Sequence, residues 1–127
     1  MPYVKVWVLQ QKPRRLVGDR ENDCVTRAIS FGCGLPYPLV RKKLWLTARL
    51  YNCEKLCKFC YSNFITYVLK CKEVNCNDLT IGEFADKHPF GTYLIRIEGH
   101  LTVVKDNCLY DIFDCRDEFC DTVWKVD

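Results

Sequence analysis

Gly99-His100-Leu101-Thr102-Val103-Val104-Lys105-Asp106-Asn107-Cys108-Leu109-Tyr110-Asp111-Ile112-Phe113 reads as two strands, over 101–105 and 108–113, joined by a tight turn. β-Branched and aromatic residues fill both arms, and Asp106-Asn107 supplies two residues that tolerate the left-handed backbone of a two-residue hairpin loop. Such a loop sets Lys105 opposite Cys108 and His100 opposite Phe113. Asp111 then lies diagonal to His100 on the same sheet face, while Asp114 points the other way. A three-residue loop would instead bring Asp114 directly opposite His100. The shorter loop is favoured, so Asp111 is the expected partner of the histidine and Asp114 the alternative.

Working outward, residues 92–97 and 122–126 carry the same β signature, and Gly99 marks the turn before His100. Upstream, residues 3–9 alternate as a short strand and 10–21 read as a loop. Asn22 or Asp23 caps a helix that runs to about Phe31, with Gly32 and Gly34 ending it. A second helix starts after Pro36 or Pro38 and continues to about Leu50, with Leu39, Val40, Leu44, Ala48 and Tyr51 near one stripe. A third, over 59–69, buries Phe64, Ile65, Val68 and Leu69. The fourth begins at Thr80, where Thr80-Ile81-Gly82-Glu83 is a capping box, and stops before Pro89. Helices first and an antiparallel sheet last predict an α+β fold, a helical N-terminal half packed on a C-terminal antiparallel sheet, in one domain spanning 1–127 with no repeat and no linker.

The helix over residues 22–31 opens with Asn22-Asp23-Cys24-Val25-Thr26-Arg27-Ala28. A helix N-terminus and a nearby imidazolium both favour a thiolate, the form that attacks carbonyl carbon. A carboxylate on the imidazole fixes which ring nitrogen faces the sulfur. Cys24, His100 and Asp111 are therefore a candidate nucleophile, general base and orienting acid.

At 127 residues the chain can bury roughly two thirds of its unfolded surface. An apolar content of 49% and a charged content of 28% fit a folded globular chain. Nineteen basic against sixteen acidic residues leave +3, too little to call for nucleic acid. Arg41, Lys42, Lys43, Arg49, Lys55 and Lys58 cluster around the second helix and read as a solvated face. No stretch resembles a signal peptide or a membrane span, so a cytoplasmic location is expected, in a host cell if the protein is viral, with no membrane partner.

Ten cysteines are many for such a chain. Without an export signal they read as reduced thiols packed as small apolar groups. Cys53, Cys57 and Cys60 have a spacing that an iron–sulfur cluster can use, but no repeated βα units accompany it. Cys57 and Cys60 also have the gap of a structural zinc pair, which Cys53, Cys71 and Cys76 would complete. The irregular remaining gaps weigh against both, and no metal or other cofactor is expected. His88, in Lys87-His88-Pro89, reads as an exposed turn residue.

The order Cys, His, Asp, with the cysteine heading the first core helix and Gly-His on an antiparallel strand, resembles the papain-like cysteine peptidases. More narrowly, the segment 22–28, Gly91-Thr92-Tyr93, Gly99-His100, and Tyr110-Asp111 through Asp114-Cys115 are similar to small papain-like proteins of bacteria and their phages. The resemblance spans about residues 20–126. It implies a papain-like domain in which Cys24 is the nucleophile, His100 the general base and acid, and Asp111 the orienting residue. The implied activity is hydrolysis of a peptide, isopeptide or amide through an acyl-enzyme, on a protein or peptide substrate. Papain-like enzymes usually place an oxyanion-binding glutamine a few residues before the cysteine. Gln10 and Gln11 lie further back here, and Asn22 is the nearer amide, either as oxyanion donor or as helix cap. That departure supports an alternative: a papain-like binding module, weak or inactive as a catalyst, such as a phage protein that targets a host factor.

Overall fold

The computed structural model describes residues 2–5, 23–54, 57–111 and 114–126. Among them lie β1 (Tyr3–Lys5), α1 (Cys24–Cys33), α2 (Tyr37–Tyr51), α3 (Lys58–Asn63), β2 (Lys72–Val74), α4 (Ile81–Lys87), β3 (Thr92–Ile97), β4 (His100–Lys105), β5 (Cys108–Asp111) and β6 (Thr122–Val126). The strands form one six-stranded sheet in the order β1-β5-β4-β3-β6-β2. The fold is α+β, with helices mostly early in the chain and strands mostly late. No described helix is long and apolar enough to cross a membrane.

The hairpin has the two-residue loop: Lys105 pairs with Cys108 and Val103 with Tyr110. Asp106 and Asn107 both take positive φ, 49° and 63°, the left-handed pair whose twist matches that of the flanking strands. The Asp106 carboxylate also accepts from the Gly91 N–H at 2.9 Å, tying the turn to the start of β3.

Alternation along the strands divides the interior in two. Leu94, Leu101, Val103 and Trp124 face α1, α2 and α3 and pack on Val25, Ile29, Val40, Leu44, Tyr61 and Phe64. Tyr93, Ile95, Ile97, Val104, Leu109 and Val123 face the opposite side and pack on Ile81, Phe84 and Ala85 of α4. Helices thus cover both faces of the sheet, whereas the sequence pattern placed a helical half on one. α1 lies close over the centre of the sheet: a Cβ at Gly32 would stand 3.0 Å from Val103 Cγ2 and 3.1 Å from Leu94 Cδ2.

Other expectations need correction. The sheet is mixed, because β1 runs parallel to β5, with Tyr3 beside Leu109 and Lys5 beside Asp111; the two strands are far apart in the chain, and such a separation permits a parallel approach that a tight hairpin does not. β2, a Lys-Glu-Val segment pairing with β6, was not expected from a sequence too short and polar to show periodicity. The third helix gives way at Phe64 to a π-helical turn over Phe64–Val68. That change of pitch turns Val68 to solvent while Phe64 and Ile65 stay buried. Leu39 and Tyr51 are exposed and do not join the buried stripe of Val40, Leu44 and Ala48. Of the strand expected over 3–9 only Tyr3–Lys5 is described, and the loop over 10–21 lies outside the described residues.

Candidate active site

α1 begins at Cys24, with Asp23 at the N-cap position. The Asp23 side chain does not cap the helix. Its carboxylate pairs with the Arg27 guanidinium one turn on and accepts from the Tyr37 hydroxyl at 3.3 Å, all three groups being buried. The backbone carbonyl of Asp23 takes the first helical bond, from Arg27 N–H at 2.8 Å. Cys24 is held half-buried at the head of the helix, where amide N–H groups lack intrahelical acceptors.

His100 opens β4, and Asp111 closes β5 on the neighbouring strand. The Nε2 of His100 and the Oδ2 of Asp111 are 2.6 Å apart. The opposite oxygen of Asp111, Oδ1, lies 3.7 Å from Arg27 Nη2, and the Cys115 thiol donates to Oδ2 at 3.8 Å. Asp111 is therefore buried with the imidazole and a thiol at one oxygen and a guanidinium within ion-pair distance of the other. The Cys24 thiol interacts with the His100 side chain and with the backbone of Leu101. The three residues expected from the sequence, 24, 100 and 111, come together.

Burial opposes charge on both Cys24 and His100, and the neighbours reverse its effect. Burial pushes the Cys24 thiol up. The His100 bond, the Leu101 backbone bond and the positive charges of His100 and Arg27 outweigh it, and the thiol lies below its ordinary value of 9.0. Burial pulls His100 down, but hydrogen bonds and negative charge from Asp111 and Cys24 lift it from 6.5 to about 9. Each member of the pair thus favours the other's charged form. Cys60, Cys115 and Cys120 go the opposite way, pushed up to about 12 chiefly by burial.

Asp114, the alternative third member, is turned outward onto Arg116, accepting from Nε at 2.8 Å and Nη2 at 2.6 Å. Asn22, Gln10 and Gln11 lie outside the described residues. His88, expected in an exposed turn, is half-buried against Phe84, with ring centroids 4.1 Å apart.

The five cysteines considered for zinc do not converge. Cys53 hydrogen-bonds with Cys57 and Cys60, but Cys71 pairs with Cys33, and Cys76 sits by Cys120 and the Asp121 carbonyl. All ten cysteines are free thiols. His100, Asp111 and Cys115 do offer three ligand atoms within 4.8 Å of one another. Their 2.6 Å N···O separation is that of a hydrogen bond; two ligands of one tetrahedral zinc would stand roughly 3.3 Å apart. The trio is better described as the acid end of the Cys24–His100–Asp111 array.

Arg27, Tyr37 and Cys115 were not singled out from the sequence. The i, i+4 spacing of Asp23 and Arg27 is a legible ion-pair signal; nothing local points Tyr37 or Cys115 at the site. A small pocket lined by Cys24, Arg27, Ala28, Phe31, Tyr110 and Asp111 has a volume of about 10 Å³, about enough for one water. No family model, curated protein or solved structure matches the chain.

Proposed function

We propose that the protein is a cysteine-nucleophile hydrolase of papain-like type, acting on an amide, isopeptide or thioester carbonyl of a protein or peptide. One observation carries the reading: a carboxylate at 2.6 Å from a ring nitrogen of His100, whose side chain also interacts with the thiol at the head of α1. The Cys24 thiolate attacks the carbonyl carbon. As the tetrahedral adduct collapses, the bond to the leaving amine breaks and His100 gives that nitrogen its proton. His100 then takes a proton from water, the resulting hydroxide displaces Cys24 from the acyl carbon, and the thiolate and imidazolium are restored. Asp111 positions the ring and stabilises the imidazolium without taking its proton. Free thiols throughout fit the reducing cytoplasm in which we place the protein.

A second reading, a papain-like binding module without turnover, draws support from the absence of glutamine just before Cys24 and from the narrow pocket beside it. Iodoacetamide labelling across pH, with each site mapped by mass spectrometry, separates the two. The hydrolase reading expects Cys24 to label at a pH where the other nine thiols are slow, and His100→Ala to remove that advantage. Labelling of Cys24 in step with its neighbours rejects it.

A further inference from the structure

α2 carries apolar side chains on two opposite sides. Tyr37, Val40, Leu44 and Ala48 are buried in the fold, whereas Leu39, Leu46 and Leu50 are 39%, 49% and 80% exposed. At about 100° per residue the three exposed leucines fall within an arc of about 40°. Lys43 borders this stripe on one side, Lys42 and Arg49 on the other, and all three are exposed. The Arg49 guanidinium lies over the Trp45 ring at 4.9 Å. Tyr51, the last residue of the helix, and Phe59 are also exposed, their rings edge to face at 5.7 Å. The segment from Tyr37 to Tyr51 contains no aspartate or glutamate.

We propose that this outer face of α2 docks an acidic amphipathic helix of a partner protein. The width of the stripe is the first argument. A helix lying in a bilayer surface presents an apolar arc of about 100° or more, whereas a narrow leucine row bordered by charges is the seam of a helix–helix contact. Charge is the second: cations on both borders of the seam, unopposed within the helix, call for carboxylates on both borders of the occupant. The same charges argue against a second copy of this chain, since pairing α2 with itself would bring lysines and arginines against one another across a desolvated seam. On the flank of α2 that carries Trp45 and Arg49, beside the cationic border of the seam, lies an open groove of about 360 Å³, lined by Trp45, Ala48, Arg49, Asn52 and Cys53 with Glu54. The outer face is thus a recognition surface and not merely a solvated one. It stands whether or not Cys24 turns over a substrate.

The test uses the full chain and two synthetic helices with the same leucine seam, one flanked by glutamates and one by lysines, each carrying a fluorescent label for anisotropy. Vesicles of phosphatidylserine and phosphatidylcholine form a parallel arm. The Glu-flanked helix is expected to bind at least about tenfold more tightly than the Lys-flanked one, and to weaken as salt rises. The pair Leu46→Glu and Leu50→Glu abolishes binding, and the pair Lys42→Glu and Arg49→Glu reverses the preference between peptides. Circular dichroism checks that these exposed substitutions leave the fold intact. Equal binding of the two peptides, failure of the charge reversal, or binding to vesicles but to neither peptide overturns the proposal. So does concentration-dependent dimerisation of the chain that is lost with the Leu46 and Leu50 changes.

Discussion

Replacing Asp111 by asparagine removes one negative charge at the far end of the Cys24–His100–Asp111 array while keeping the side chain's size and its ability to accept from Nε2. His100 stands at about 9 because hydrogen bonding and negative charge, first of all from Asp111, outweigh a burial that by itself pulls the imidazole below 6.5. Without the carboxylate, burial is opposed by less, and the imidazole falls toward its ordinary value of 6.5. At pH 7.5 a group at about 9 is protonated in roughly thirty molecules for each one that is not; at 6.5 the ratio is about one to ten. The imidazolium that holds the Cys24 thiolate is therefore depleted by roughly tenfold, and iodoacetamide labelling of Cys24 at pH 7.5 falls by about the same factor. A proton NMR titration of the His100 ring gives the independent readout, with its midpoint falling from about 9 by two or more pH units. Arg27 keeps Asp23, so the cost in stability is about 1–3 kcal/mol, measured by urea unfolding. If the substituted protein titrates at the native midpoint and labels Cys24 at the native rate, Asp111 does not set the charge of His100, and the array is a packing arrangement only.

Asp114→Asn loses only an exposed pairing with Arg116 and is expected to leave Cys24 labelling within about twofold of native, so a large drop would reinstate the alternative third member. Arg27→Leu takes the guanidinium away from two buried carboxylates, Asp23 and Asp111, and should destabilise by about 3–5 kcal/mol in urea; a change under about 1 kcal/mol would mean that the guanidinium does not hold them. Gly32→Ala gains about 1 kcal/mol of helix propensity but drives a methyl against buried Val103 and Leu94; the net expectation is a loss of about 1–2 kcal/mol, and a stabilised variant would show that these side chains can retreat. Stability should fall with rising pH. His100, raised in the fold, contributes fully below 6.5 and loses its contribution through about 9, while Cys60, Cys115 and Cys120, raised to about 12, oppose unfolding less and less above 9.0. Cys24, lowered in the fold, works in the opposite sense, so denaturant midpoints measured from pH 6 to 11 should decline most steeply above 9; a flat profile refutes this balance.

What could be read from the sequence was whatever depends on local spacing. The two-residue loop at Asp106-Asn107 settled the register of β4 and β5, and register placed Asp111 and not Asp114 beside His100. The capping box at Thr80 likewise formed as expected, with Glu83 N–H donating to Thr80 Oγ1 at 3.2 Å and Thr80 N–H to Glu83 Oε1 at 2.9 Å. What escaped was set by distant packing. Asp23 has the residue type and position of a helix cap, yet a buried guanidinium four residues on competes for its carboxylate and wins. β1 lies parallel to β5 because of where the sheet edge is, which residues 3–5 do not encode. Leu39 suited the buried stripe by type but projects outward with Leu46 and Leu50, because α2 is apolar on two sides and periodicity alone does not choose between them.

The charges around Cys24 explain why a histidine in so enclosed a place keeps its proton. Asp23 and Asp111 bring two negative charges into the interior between α1 and the sheet, and Arg27, in contact with both, supplies one positive charge. An imidazolium at His100 brings the sum of these four groups to zero; a neutral imidazole would leave an uncompensated carboxylate in a medium that screens poorly. Protonation of His100 is thus demanded by the second carboxylate that Tyr37 and Arg27 anchor from the helical side. The thiolate of Cys24 is the one charge then left over, and it lies at the head of α1, where the helix N-terminus, the Leu101 amide and the imidazolium face it. A salt-bridged framework that balances without the sulfur leaves the sulfur as the group whose charge can change, which is what the proposed nucleophilic role of Cys24 requires.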